Sequence, residues 1–448
     1  MNMPTDSTAD PSLPGLAEWF AGIDPVARTA LRALGALLSA SATAERAETA
    51  DRFAERCLGV VDCGQLLEEE RELSPVGRLT FPLALAEWIG QYPQCEVGPG
   101  EGSSPPAWTQ TVVGESQFRH PMCLRVFFPA GSLLDSAGCV LHIESREGVL
   151  RTAAVSAFVA PRDQGMAREV LERLSARAAE LNPFRGRVVR AVYDGGLRLI
   201  AMELPAAVTR GTVVVPSEVW AEVDLGVVSV RDRFSMLNAH GLGSRRGVLL
   251  CGPPGTGKSA VCAAIAREVA GVFTVIYVDA KAGPALLAEV VQEAQRLGGP
   301  VLLVLEDIDL WCHDRRGGGN GLSEMLRAMD IEPDARILTL ASTNDAATLD
   351  KAAIRTGRFD SVVEVGYPGL VDAARILAMF VSELPGGGGV DVNAVAAVLP
   401  ERTSGSDLRE IVRRAVLSGS AAGVTTQSLL AEVSSRRYVG QAPSGQYL

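Results

Sequence analysis

The stretch Gly252-Pro253-Pro254-Gly255-Thr256-Gly257-Lys258-Ser259 limits what this chain can become more than any other. It fits G-x-x-x-x-G-K-[ST], a P-loop that cradles phosphate between a strand and a helix. The apolar run Gly247-Val248-Leu249-Leu250-Cys251 precedes it, and the helix-like Ala260-Val261-Cys262-Ala263-Ala264-Ile265-Ala266 follows. Glycines let backbone N–H groups converge on phosphate oxygens, and a helix N-terminus adds positive partial charge there. Lys258 is expected to neutralise the β- and γ-phosphates of ATP, and Ser259 to hold Mg²⁺. Residues 252–260, from Gly252 to Ala260, are the expected ATP contacts. Of 42 basic residues only Lys258, Lys281 and Lys351 are lysines, so a lysine in the loop marks a place where a compact point charge is wanted.

Alternating strand and helix patterns run from about residue 212, with strands expected at 247–251, 274–278, 301–305, 337–341 and 362–365. That reads as an α/β nucleotide-binding core with a parallel sheet over 212–369. Helix-like segments at 371–384, 391–398, 405–418 and 426–435 make a small all-helical lid over 370–437, followed by a tail at 438–448. Ahead of the core the reading is a polar tail at 1–14 and a helical region at 15–92. A Gly/Ser/Pro-rich linker at 93–121 and an α+β module at 122–211 follow. The last includes a helix near 165–181 and a hairpin turned at Tyr193-Asp194-Gly195-Gly196.

The net charge of −11 argues against broad binding to nucleic acid or an anionic membrane. Most of it is local: residues 1–120 hold 17 acidic and 8 basic side chains. Eight cysteines form no C-x-x-C pair and read as thiols of a reduced, cytoplasmic protein. No signal peptide and no membrane span is expected.

Val301-Leu302-Leu303-Val304-Leu305 reads as a buried strand with Glu306-Asp307-Ile308-Asp309 at its end. P-loop hydrolases need two carboxylates at such a place, one for the metal and one for the attacking water. The usual order is Asp then Glu. Here Glu306 takes the metal and Asp307, one methylene shorter than the usual base, takes the water. Asn344 closes the run Ile337-Leu338-Thr339-Leu340-Ala341-Ser342-Thr343-Asn344, at a strand end where its amide can bond the γ-phosphate or the water.

Ile354-Arg355-Thr356-Gly357-Arg358-Phe359-Asp360 resembles the second region of homology of AAA ATPases, the ring-forming branch of the AAA+ class. The likeness runs from about Val213 to Arg437 and takes in Arg246-Gly247-Val248-Leu249-Leu250, the acidic strand end, Asn344 as sensor 1, and Ser404-Gly405-Ser406-Asp407-Leu408. It implies that Arg355 and Arg358 are arginine fingers reaching a neighbouring subunit's γ-phosphate. It also implies a homo-oligomeric ring, a hexamer or a heptamer, acting on a protein client. Gly405 and Asp224-Leu225-Gly226 match family positions near the adenine. The segment Val278-Asp279-Ala280-Lys281-Ala282-Gly283-Pro284 lacks the aromatic pore residue of unfolding members. That shortened loop and the Glu-Asp order are similar to Bcs1-type members, which move folded cargo. By the same resemblance the loop from Trp311 to Asn320 faces the ring axis. Two other functions stay open: a nucleotide-gated scaffold with weak hydrolysis, and a DNA-remodelling ATPase, which the acidic balance disfavours.

Overall fold

The computed structural model describes residues 48–145, 153–193, 196–279, 283–310, 332–344, 358–418 and 423–439, with a few positions between 23 and 34. The expected tail at 1–14 lies outside the described residues, as do the loop at 311–320 and Lys281 and Lys351.

Among the described residues the strands form two sheets. The first is antiparallel and belongs to the N-terminal unit. Its strands are β1 (Leu67–Glu72), β2 (Glu96–Gly98), β3 (Ala107–Val113), β4 (Ser116–Phe128), β5 (Cys139–Glu144) and β6 (Ala154–Val159), in the order β1-β6-β5-β4-β2 with β3 also on β4. The helices α2 (Gly77–Gln91) and α3 (Met166–Glu180) close one face around Leu85, Leu124, Leu141, Val155 and Leu171. Helix α1 (Ala50–Leu58) covers part of the other through Phe53 and Leu58.

The second sheet has the order β13-β9-β12-β11-β10-β7-β8. It is built from β7 (Val188–Tyr193), β8 (Leu197–Ala201), β9 (Arg246–Cys251), β10 (Thr274–Asp279), β11 (Val301–Glu306), β12 (Ile337–Thr343) and β13 (Ser361–Glu364). All pairings are parallel except the β7–β8 hairpin at the edge. Successive side chains point to opposite faces, and both faces are dry. Val248, Leu250, Leu302, Val304, Leu338 and Leu340 meet α4 (Ser217–Arg231) and α6 (Lys258–Val269). Leu249, Ile276, Leu303 and Leu305 meet α7 (Gly283–Leu297). A short α5 (Phe234–Ala239) follows α4. Four C-terminal helices, α8 (Leu370–Val381), α9 (Val392–Ala396), α10 (Gly405–Ser418) and α11 (Thr426–Ser435), share a separate core around Leu377, Leu408, Ile411 and Leu429.

The central strands lie where the sequence pattern places them. Four features differ. Residues 67–72 are a strand inside the expected helical region: Leu-Glu-Glu-Glu-Arg-Glu has no period-2 alternation because it is an edge strand, where charges discourage further pairing. The expected linker at 93–121 contains β2, β3 and the start of β4; most of its glycines and prolines lie in the turn from Pro99 to Pro106, and Gly114, with φ 61°, turns the β3–β4 hairpin. The β7–β8 hairpin, grouped with the N-terminal module by sequence, pairs with β10 and belongs to the second sheet. Tyr438 packs into the C-terminal helical core instead of starting a tail.

Strand β9 reaches β13 at very close range. A Cβ on Gly247 would stand 1.9 Å from the Arg358 carbonyl oxygen, so only glycine fits. The same turn is fastened by Gly247 N–H to Asp360 Oδ2 at 2.9 Å, Asp360 N–H to the Gly247 oxygen at 2.8 Å, and Arg245 Nη2 to the Arg358 oxygen at 2.7 Å. Gly247→Ala is therefore expected to cost about 1–3 kcal/mol, the range for overpacking a tight site, read as a lowered midpoint in chemical denaturation; an unchanged midpoint would contradict this packing.

Candidate functional site

The parallel strands β9, β11 and β12 all end on one side of the sheet, the side where open α/β sheets bind ligands. β9 leads into the glycine-rich loop and α6 opens at Lys258. Gly255 and Gly257 adopt φ of 77° and 106°, a region that favours glycine, and a Cβ on Gly252 would stand 2.2 Å from the Val365 carbonyl oxygen. The loop thus has the glycines its path requires.

Lys258 is only 5% exposed. Its ammonium donates to the Gly252 oxygen at 2.7 Å, the Pro253 oxygen at 2.8 Å and Asn344 Oδ1 at 2.8 Å, which uses all three of its protons. Burial pulls the Lys258 pKa below the ordinary lysine value, and the nearby carboxylates Asp307 and Asp309 oppose that fall. Asn344 also donates from Nδ2 to Asp307 Oδ1 at 3.1 Å. The asparagine therefore bridges the loop lysine and the carboxylate at the end of β11.

The two acids divide as their surroundings differ. Glu306 accepts a hydrogen bond from the Ser259 hydroxyl. Burial raises its carboxyl above the usual range, the Ser259 bond acts against that, and the neighbouring charges of Asp307 and Asp279 add to the rise. Asp279 is its register partner on β10. Asp307 turns away with φ 51°, uncommon for a residue with a side chain and tolerated best by Asn and Asp. Its N–H donates to Ser342 Oγ at 3.2 Å.

A cavity of about 500 Å³ opens in front of the loop, with Lys258, Ser259, Asp307 and Asn344 on its wall. Thr212 to Val214 and residues of the C-terminal helices, among them Phe380 and Gly405, complete it. Ser406 N–H donates to the Gly255 oxygen at 3.1 Å, so the N-terminus of α10 is bonded directly to the loop.

Sequence reasoning missed some of these groups. Asp309, 8% exposed, accepts from Thr343 Oγ1 and from Asn344 N–H, both at 3.1 Å, and so fixes the strand end that carries Asn344. Its place two residues after the acid pair is the only signal for it. Arg409 lines the cavity from α10; it lies one residue past the quoted Ser404–Leu408 motif. The adenine-side reading of Asp224-Leu225-Gly226 is corrected. These residues sit on α4, away from the cleft: Asp224 pairs with Arg210 at 2.5 Å, and Gly226 lies against Leu338. Residues 212–214 occupy the cleft wall instead. Arg358 does not line the cavity, and Arg355 lies outside the described residues. Among the described cysteines all are free, and Cys251 and Cys262 are buried thiols whose pKa burial raises, which suits packing over reactivity.

Residues 248–367 match the family model described as ATPase family associated with various cellular activities (AAA). The chain is similar to the ATP-dependent zinc metalloprotease FtsH of Cupriavidus metallidurans, at 37% identity over 193 residues, covering 39% of this chain and 29% of that protein. It is also similar to the ATPase family gene 2 protein homolog B of Rattus norvegicus, at 35% identity over 194 residues, 40% of this chain and 26% of that one. Protein CdcH of Halobacterium salinarum matches at 33% identity over 191 residues, 38% and 24% of the two chains. The chain thus spans between 24% and 29% of the length of these three relatives. No described helix is long and apolar enough to cross a membrane. The glycine-rich loop, the acid pair, Asn344 and Arg358 all fall inside the matched segment, so what the comparison supports is an AAA ATPase domain over residues 248–367.

Proposed function

We propose that this chain hydrolyses ATP as a homo-oligomeric AAA ring and uses the energy to remodel or move a protein client. The observation that carries the reading is the chain of contacts Lys258–Asn344–Asp307 beside the Ser259–Glu306 pair, at the head of a cavity of about 500 Å³.

ATP suits these residues. The loop backbone and Lys258 would hold the phosphates, and the N-terminus of α6 would add its dipole. Ser259 and Glu306 offer the hard oxygen ligands that Mg²⁺ takes. Bound Mg²⁺ would supply neutralisation of the charge developing on the transferred phosphoryl group. Asp307 would accept the proton of the attacking water as its oxygen bonds the γ-phosphorus and the bond to the ADP oxygen breaks. Asn344 would orient Asp307 and, through its oxygen, keep Lys258 aimed at the loop. Arg355 and Arg358 would serve a neighbouring subunit's site. For Arg358 the support is that its turn is locked to β9 while it stays off the wall of its own cleft. The C-terminal helices would act as a lid that shifts with the nucleotide, since α10 is bonded to the loop at Gly255.

A second reading is a nucleotide-gated scaffold that binds ATP and hydrolyses it weakly. It is favoured by one observation: the acid beside Asn344 is the shorter Asp307, on a strained backbone.

Three substitutions test the proposal. Lys258→Ala should weaken ATP binding by at least about tenfold, the scale of lost hydrogen bonds to a charged group; calorimetry that finds wild-type affinity would refute the phosphate site. Asp307→Asn should keep ATP binding and lower single-turnover hydrolysis by roughly 10²-fold or more, and a rate equal to wild type would remove its role as base. Arg358→Ala should spare binding and lower turnover by about 10³-fold. Mixing it with Lys258→Ala should restore part of the activity, because each partner supplies what the other lacks. No restoration would mean that the site is not shared between subunits.

A further inference from the structure

A second cavity, of about 780 Å³, lies apart from the nucleotide cleft where the segment from Arg71 to Phe81 meets α7. Its volume is in the range of small-molecule sites. Glu293 of α7 lines it and is only 2% exposed. One carboxylate oxygen, Oε1, accepts from Ser74 Oγ at 2.9 Å. Glu293 also accepts from the Val76 backbone N–H, and its Oε2, which has no well-formed hydrogen bond of its own among the described residues, is ion-paired with Arg296 Nη1 at 3.7 Å. A buried acceptor left in that state is costly unless a donor reaches it.

The rest of the wall narrows what the donor can belong to. Arg71, Arg78 and Arg296 all line the cavity, and so do the carboxylates Glu72, Glu289 and Glu293. Glu289, also on the wall, is already used by the Leu197 N–H at 3.1 Å. With three guanidiniums and three carboxylates on the wall, a ligand of a single sign, such as a bare metal ion or a polyamine, meets like charge as well as opposite charge. A bare inorganic anion would match the guanidiniums and still leave the Glu293 oxygen unmet, with like charge beside it. Guanidinium groups favour carboxylate and phosphate oxygens. A molecule that satisfies both sides has an anionic group at one end and an O–H or N–H at the other.

We propose that this cavity is a binding site for a small organic anion bearing a hydroxyl or amino donor, with the donor on Glu293 and the anionic group on the arginines. Amino acids and sugar phosphates both have this chemistry. The occupant would touch both the N-terminal unit and α7, the helix that starts four residues after Asp279, the register partner of Glu306.

The test is calorimetric titration of the full chain with L-glutamate and, separately, with glucose 6-phosphate, in excess ADP so that the nucleotide cleft does not report. One of the two should bind saturably, which also tells a carboxylate ligand from a phosphate one. Glu293→Gln and Arg296→Ala should each weaken that binding about tenfold, the scale of one hydrogen bond to a charged group, and Lys258→Ala should leave it unchanged. The Arg296 side chain is 60% exposed, so its removal tests the site even where Glu293→Gln fails to fold. The proposal is overturned if neither anion binds up to about 10 mM, if binding survives Arg296→Ala, or if Lys258→Ala abolishes it, which would place the anion in the nucleotide cleft.

Discussion

The ammonium of Lys258 is the interaction on which the site depends. Removing such a charge from water costs several kcal/mol unless its protons are used, and here two loop carbonyls and the Asn344 oxygen use all three. The loop leaves β9 and Asn344 leaves β12, so one buried cation joins the ends of two neighbouring strands. The strand register makes that possible, because Cys251 at the end of β9 lies opposite Thr343 at the end of β12. Carbonyl oxygens are neutral acceptors, whereas phosphate oxygens are charged and bind an ammonium more strongly. The cation is thus held by partners weaker than the ones a triphosphate would bring, and a change at Lys258 reaches Asn344 and then Asp307 without any intervening loop.

The acid pair follows from the same strand ends. Glu306 is the last residue of β11 and Asp307 follows it with a left-handed backbone, so the two side chains leave the strand end in different directions. Glu306 meets Ser259, and Asp307, with its backbone turned to φ 51°, meets Asn344. Exchanging the usual order of the two acid types leaves these directions intact and changes only the reach of each side chain. The longer glutamate sits on the serine side and the shorter aspartate sits where Asn344 comes to it. Asp309 completes the arrangement by holding the Asn344 N–H, which fixes the backbone that carries the asparagine beside Asp307.

Much of the second sheet was legible because its strands are buried on both faces and read as unbroken apolar runs, as in Val301 to Leu305. The loop, the acid pair and Asn344 were legible because each sits directly after such a run. The N-terminal unit was less so. Strand β1 is stabilised by its pairing to β6 and carries charged side chains along an edge, so nothing local marks it as a strand. The β7–β8 hairpin was visible as a hairpin, but its parallel pairing to β10 joins residues more than eighty positions apart and leaves no local signature. Arg409 was hidden for a similar reason: what brings it to the cleft is the packing of a separate helical unit, not a pattern within it.

That hairpin also decides how the N-terminal unit can act. It covers the β10 edge, which would otherwise offer unpaired backbone groups, and it sits between the two sheets. Arg187, just before β7, donates from Nη1 to the Val113 oxygen at 3.0 Å and from Nη2 to Ser116 Oγ at 3.3 Å. Val76, Leu79 and Val113 of the N-terminal unit lie in the same apolar core as Leu249, Ile276 and Leu303 of the second sheet. A unit tethered by a linker could swing freely. This one could move only by exposing that shared core, at a cost of roughly 25 cal/mol for each Å² of apolar surface uncovered. The N-terminal unit and the nucleotide-binding sheet are thus joined by side chains already in contact, through the shared core and the Arg187 hydrogen bonds.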